Sequence, residues 1–92
     1  MIVIVKNAPE TPDGGKALEL ASAMAADLIL VQNGLYFAGS EELRDFAGKV
    51  YALEDDGRLR GIRLEKGGKV EAIGYDALVD LAAGEEKVIG AF

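Results

Sequence analysis

The stretch MIVIVKNAPETPDGGKALELASAMAADLILV, residues 1–31, decides the fold. Ile2 to Lys6 is a continuous β-branched run, the pattern of a strand buried on both faces, as in a parallel sheet with helices above and below. Pro9, Pro12 and the Gly14-Gly15 pair end that strand in a loop from Asn7 to Gly15, where Asp13 is placed to cap a helix. Lys16 to Ala26 are strong helix formers, with Leu18, Ala21, Ala25 and Leu20, Met24 at three- and four-residue spacings. Asp27-Leu28-Ile29-Leu30-Val31 then repeats the buried-strand pattern. A strand, helix, strand succession of this length is a right-handed βαβ unit with parallel strands.

Working outward, Gln32-Asn33-Gly34 closes the second strand and Leu35-Tyr36-Phe37-Ala38 begins a helical segment that pauses at Gly39-Ser40. Ser40 can cap a second turn, Glu41 to Ala47. Lys49 to Leu53 is a third strand. Glu54-Asp55-Asp56 places acidic residues where a helix N-terminus favours them, which predicts a short helix to Arg60. A hairpin is the alternative, because Lys66-Gly67-Gly68-Lys69 is a good turn between Gly61 to Glu65 and Val70 to Ile73, and helix and hairpin can coexist. Val70 to Ile73 is a strand in either case. Tyr75 to Ala82 is an amphipathic helix stopped by Gly84, and Lys87 to Phe92 is a short apolar tail. The expectation is a three-layer α/β/α domain around a mostly parallel sheet of four or five strands, with residues 1–92 forming one domain. Ligand sites in such sheets gather at the carboxyl ends of the strands, here the loops Asn7 to Gly15, Gln32 to Gly34 and Glu54 to Asp56.

Composition limits the chemistry. Half of the residues are hydrophobic and 28% are charged, enough apolar surface to offset chain entropy. Sixteen acids against ten bases leave a net charge of −6, which repels phosphate backbones and anionic lipid, so neither direct nucleic-acid binding nor membrane binding is expected. The chain has no cysteine and no histidine. That removes disulfides, thiolate metal sites and the commonest general base near neutral pH, and leaves carboxylates as the acid/base groups. No cofactor and no metal site is expected. Ile2-Val3-Ile4-Val5 is too short for a signal-peptide core and no apolar segment approaches the ~20 residues of a membrane span, so a cytoplasmic location is expected.

Several local patterns invite a functional reading. Gly14-Gly15-Lys16 is no phosphate loop, since Glu10 and Ala17 stand where that motif needs Gly and Ser or Thr. A plain helix entry is the ordinary reading, although the Gly14 and Gly15 amides are placed where a helix start holds anions. Glu54-Asp55-Asp56 reads as a solvated helix start rather than a cation site. Asp76 and Asp80 lie four apart on what looks like a solvent face. Leu35-Tyr36-Phe37 is wider than one helix face, so at least one of the three should be exposed or serve an oligomer contact; a local core contact is as good a reading. Val88 to Phe92 either adds an edge strand or docks on a neighbour, with Phe92 the anchor in the second case.

The segments Leu28 to Tyr36, Lys49 to Leu53 followed by Glu54-Asp55-Asp56 and Arg60-Gly61, and Tyr75 to Leu81 together resemble the DsrH/TusB-like branch of the small DsrE/DsrF/DsrH sulfur-relay proteins, over most of the chain. The resemblance implies an α/β domain that assembles as a homo-oligomer, or as a hetero-oligomer with cysteine-bearing DsrE/DsrF-like subunits. It also implies a part in passing persulfide sulfur toward 2-thiolation of wobble uridine in transfer RNA or in oxidative sulfur metabolism. In the cysteine-bearing relatives the sulfur-accepting thiol lies near the end of the third strand, and aligning on Arg60-Gly61 puts Leu53 there. Leucine accepts no sulfur. The leading expectation is therefore a non-catalytic subunit whose Leu35-Tyr36-Phe37 segment contacts a homologue. The competing one is a stand-alone homo-oligomeric binder of an anion or nucleotide, using Gly14, Gly15, Gln32, Asn33 and Gly34.

Overall fold

Parallel strands need crossovers, and because crossovers are right-handed, the direction in which the chain steps decides which sheet face each connection covers. The structure of this chain, a computed structural model, describes residues 1–85 and 87–90. Five parallel strands, β1 (Ile2–Val5), β2 (Asp27–Leu30), β3 (Val50–Leu53), β4 (Val70–Ile73) and β5 (Val88–Ile89), lie in the order β4-β3-β2-β1-β5. From β1 to β4 every step goes the same way. Helix α1 (Pro12–Ala23), the 3₁₀ segments Gln32–Gly39 and Glu41–Leu43, and helix α2 (Glu54–Leu59) therefore lie on one face. The last crossover, through helix α3 (Tyr75–Ala83), runs back across the whole sheet to β5 and covers the other.

Register sorts the strand residues between these faces. Val3, Leu28, Val50 and Val70 are aligned neighbours, as are Val5 with Leu30 and Leu30 with Ala52. They form the main core with Ala17 and Ala21 of α1 and with Leu35, Phe37, Leu43 and Phe46. Alternate residues Ile2, Ile29 and Ile73 point the other way; they too are buried, yet stand outside that cluster. Over this second face α3 buries none of its residues, with Leu78, Leu81 and Ala82 half-buried. Among the described residues no buried side chain is polar or charged.

Helix α1 starts earlier than Lys16, and its cap is Thr11 rather than Asp13. Thr11 Oγ1 accepts from the Gly14 amide at 3.1 Å and donates to the Ala8 carbonyl at 2.7 Å. Pro12 follows at the first helical position, where its fixed φ fits and its missing N–H costs nothing. The helix ends before Ala26, because Ala25 turns into the left-handed region at φ 53°. The turn expected over Glu41 to Ala47 is only the 3₁₀ stretch Glu41–Leu43. The hairpin is absent. Its turn has Lys66 at negative φ and Gly67 at φ 76°, with Gly68 N donating to Glu65 O at 3.3 Å. That is the signature of a type II turn, whose twist splays hairpin arms. Residues 61–65 therefore run beside β4 unpaired, leaving a cleft of about 450 Å³ lined by Leu64, Lys66, Val70 and Ala72 among others. Of the two readings for the tail, the edge strand is realised in Val88–Ile89, while Phe92 lies outside the described residues.

Candidate functional site at the carboxyl edge of the sheet

Three connections leave the carboxyl edge side by side, after β1, β2 and β3, and each is held differently. After β1, the Gly14 amide is taken by Thr11 Oγ1 and the Gly15 amide by Thr11 O at 3.1 Å. A Cβ at Gly14 would stand 2.1 Å from the Ala8 carbonyl oxygen, so a helix packed this tightly on its own loop admits only glycine there. Both amides proposed for anion binding are thus occupied by the cap.

After β2, Gln32 enters the 3₁₀ segment at φ 50°, a left-handed conformation that costs a non-glycine residue about 1 kcal/mol. Its amide donates to Asp56 Oδ2 at 2.7 Å, a charge-assisted bond that holds the strained residue in place. Asn33 Oδ1 accepts from Arg60 Nε at 3.0 Å, and Arg60 Nη1 donates to the Asp56 carbonyl at 3.0 Å. Gly34 lies against the end of β1, where a Cβ would stand 2.1 Å from Val5 O. The three residues of this expected binding loop therefore serve the junction: Gln32 and Asn33 lock onto α2, and Gly34 lets the segment cross β1.

The 3₁₀ geometry also divides Leu35-Tyr36-Phe37. Leu35 and Phe37 are fully buried in the main core, so neither is available as an interface residue, and only Tyr36 is exposed, at 49%. On α2, which packs against this segment, Leu59 is the most exposed large apolar side chain among the described residues at 81%.

After β3, Leu53 is the N-cap residue of α2 and is half-buried, with no side-chain cap bond. A thiol here would face a helix N-terminus, whose dipole favours a thiolate. In this chain the first turn instead carries Glu54, Asp55 and Asp56, and Arg58 Nη2 reaches Glu54 at 3.4 Å and Asp55 at 3.5 Å. Both pairs are solvent-exposed and contribute little to stability. Among the described residues no group of three metal-ligating side chains converges. The edge can present a shaped, hydrogen-bonded surface, and it holds no nucleophilic thiol.

The DsrH like protein family matches residues 11–88, from the cap of α1 to β5. The chain belongs to the DsrH-like family. Two solution structures of Tm0979 from Thermotoga maritima are similar to it. One is 37% identical at a TM-score of 0.68, covering 95% of this chain and 97% of that one. The other is 36% identical at a TM-score of 0.64, covering 96% and 97%, and describes Tm0979 as a candidate sulfur transferase. The crystal structure of YchN from Escherichia coli shares the fold at a TM-score of 0.79 and 23% identity, covering 98% of this chain and 97% of that one. No curated protein matches. These relationships support a sulfur-relay role for this DsrH-like chain, which carries no cysteine. Among the described residues no helix is long and apolar enough to cross a membrane.

Sequence reasoning pointed to this edge and did not foresee the lock across it. Asp56 and Arg60 lie 24 and 27 residues from the partners they hold, a separation that carries no local spacing rule. The pairing of Gln32-Asn33 with Asp56 and Arg60 inside one resemblance pattern was the available signal.

Proposed function

We propose that this chain is a cysteine-less, non-catalytic subunit of a sulfur-relay assembly, which docks a cysteine-bearing homologue through the carboxyl edge of its sheet. The observation that carries this reading is Leu53. It occupies the N-cap of α2, where the resemblance places a relative's thiol, while the junction around it is kept rigid by the Gln32 to Asp56 and Asn33 to Arg60 bonds. Rigid scaffolding without the reactive group supports a docking role rather than a carrier role. Tyr36 and Leu59, exposed on the two locked segments, are the contacts of choice, since apolar side chains standing free on rigid elements bind with little ordering cost. Within this reading the assembly feeds wobble-uridine 2-thiolation of transfer RNA or oxidative sulfur metabolism, in the cytoplasm, and the chain meets neither nucleic acid nor membrane itself.

Size-exclusion chromatography with light scattering, on the chain alone and mixed with a cysteine-bearing DsrE/DsrF-like relative, tests the docking. The expected result is one co-eluting species of higher mass, lost with Tyr36→Ala and Leu59→Ser together. Separate elution at all concentrations would defeat the proposal.

A further inference from the structure

Residues 61–65 reach edge strand β4 through the tight turn Glu65 to Gly68, and the cleft of about 450 Å³ lies between them. Among the described residues the amides of Arg63, Leu64 and Glu65 have no hydrogen bond, and β4 pairs only with β3. Unpaired backbone thus faces the cleft from both walls. The side chains fit across it in one register. With Lys66-Gly67-Gly68 as the loop, Glu65 falls opposite Lys69, Leu64 opposite Val70, Arg63 opposite Glu71 and Ile62 opposite Ala72. Two opposite-charge pairs then alternate with two apolar pairs, each favourable between antiparallel strands. Shortening the loop by one residue sets Lys66 against Lys69, Glu65 against Val70 and Leu64 against Glu71, which mismatches every pair. The longer loop also keeps Ile62 and Leu64 on the side of Val70, whose core cluster they already pack against. Arg63, Glu65 and Glu71 are exposed and form no ion pair among the described residues, while Lys69 Nζ donates to the Phe46 carbonyl.

We infer that residues 61–65 are a strap that closes on β4 as an added antiparallel strand, with Gly67-Gly68 as its hinge. The structure holds the strap open: Gly67 is left-handed at φ 76° and Gly68 is not. A hairpin loop of three residues is a type I turn followed by a left-handed residue. Closing therefore rotates the Lys66-Gly67 peptide, turning type II into type I, and passes the left-handed position to Gly68. The bond from Gly68 N to Glu65 O serves both turns. Two adjacent glycines let the chain adopt either form without strain. Closure fills the cleft and pairs the free edge of the sheet, so the strap governs whether that edge is open to another chain. The device needs no partner, so the inference goes beyond the relay proposal and stands or falls separately from it.

The hinge gives its two glycines opposite effects, which provides the test. A Cβ at Gly67 would meet nothing within 4 Å, and one at Gly68 nothing closer than 3.4 Å, so both alanines have room in the open form. Gly67→Ala then penalises the open form and Gly68→Ala the closed one, each through a left-handed φ. Because the chain has no cysteine, Arg63→Cys with Glu71→Cys places a single thiol pair across the cleft. In the closed register their Cα atoms stand about 5.5 Å apart, within disulfide reach. The rate of disulfide closure in the full chain under mild oxidation reads the closed population. It should rise about tenfold when Gly67→Ala is added and fall about tenfold when Gly68→Ala is added. Amide hydrogen exchange on the Gly67→Ala chain, with Arg63 and Glu71 intact, should show the Arg63 N–H protected. Equal closure rates in the two backgrounds, the reverse order, or no disulfide in either would overturn the inference, as would an unprotected Arg63 amide in Gly67→Ala. Each of those results leaves the docking of a cysteine-bearing relative untouched.

Discussion

The two faces of the sheet are built to different standards. Beneath α1 and the 3₁₀ segments, Val3, Leu28, Leu30, Leu35, Phe37 and Ala52 are at most 2% exposed, and the backbones approach so closely that Gly34 and Gly14 have no room for a methyl group. Beneath α3 the strand isoleucines are covered, but the helix above them buries nothing and leaves Tyr75 and Val79 in solvent. One face holds the fold together and the other carries a helix that stays largely in solvent. A small domain has little apolar surface to spare, so leaving seven apolar residues in a nine-residue helix without a buried member is costly unless something covers them.

That contrast can be broken by substitution. The largest effect is expected for Gly34→Ala: its Cβ has only 2.1 Å to a backbone carbonyl, which no rotamer change relieves, so a loss of at least about 3 kcal/mol by denaturant melting is predicted. Leu35→Ala empties a fully buried site and should cost about 2–5 kcal/mol. Thr11→Ala removes the α1 cap and should cost about 1 kcal/mol, without changing the slope of the melt. On the opposite face, Tyr75→Ala should shift stability by less than about 0.5 kcal/mol in the same melt. A Tyr75→Ala loss as large as that of Leu35→Ala would erase the distinction between the faces.

The same contrast explains what the sequence made legible. Strands β1, β2 and β3 stand where unbroken apolar runs put them, because burial on both faces leaves no polar alternation to confuse the reading. Helix α1 begins four residues before Lys16 because Pro12 was read as a breaker when, behind Thr11, it is a start. Leu35 and Phe37 looked like interface residues because a run of bulky side chains overfills an α-helical stripe; in a 3₁₀ segment crossing β1 at Gly34, they turn inward. The hairpin failed on the twist of one turn at Gly67, which composition does not encode. At the candidate site, Gln32 and Asn33 were read as ligand-binding groups; the bonds they make in the structure were not foreseen, since they depend on Asp56 and Arg60 arriving from another crossover.

The central claim, that a chain without a thiol acts in a sulfur relay through its carboxyl edge, is tested most directly by the rate of persulfide transfer from a sulfur-loaded, cysteine-bearing relative to a downstream thiol acceptor. Adding this chain should change that rate severalfold at saturation, while Tyr36→Ala combined with Leu59→Ser should have no effect. A rate that is indifferent to the wild-type chain at every concentration would contradict the account.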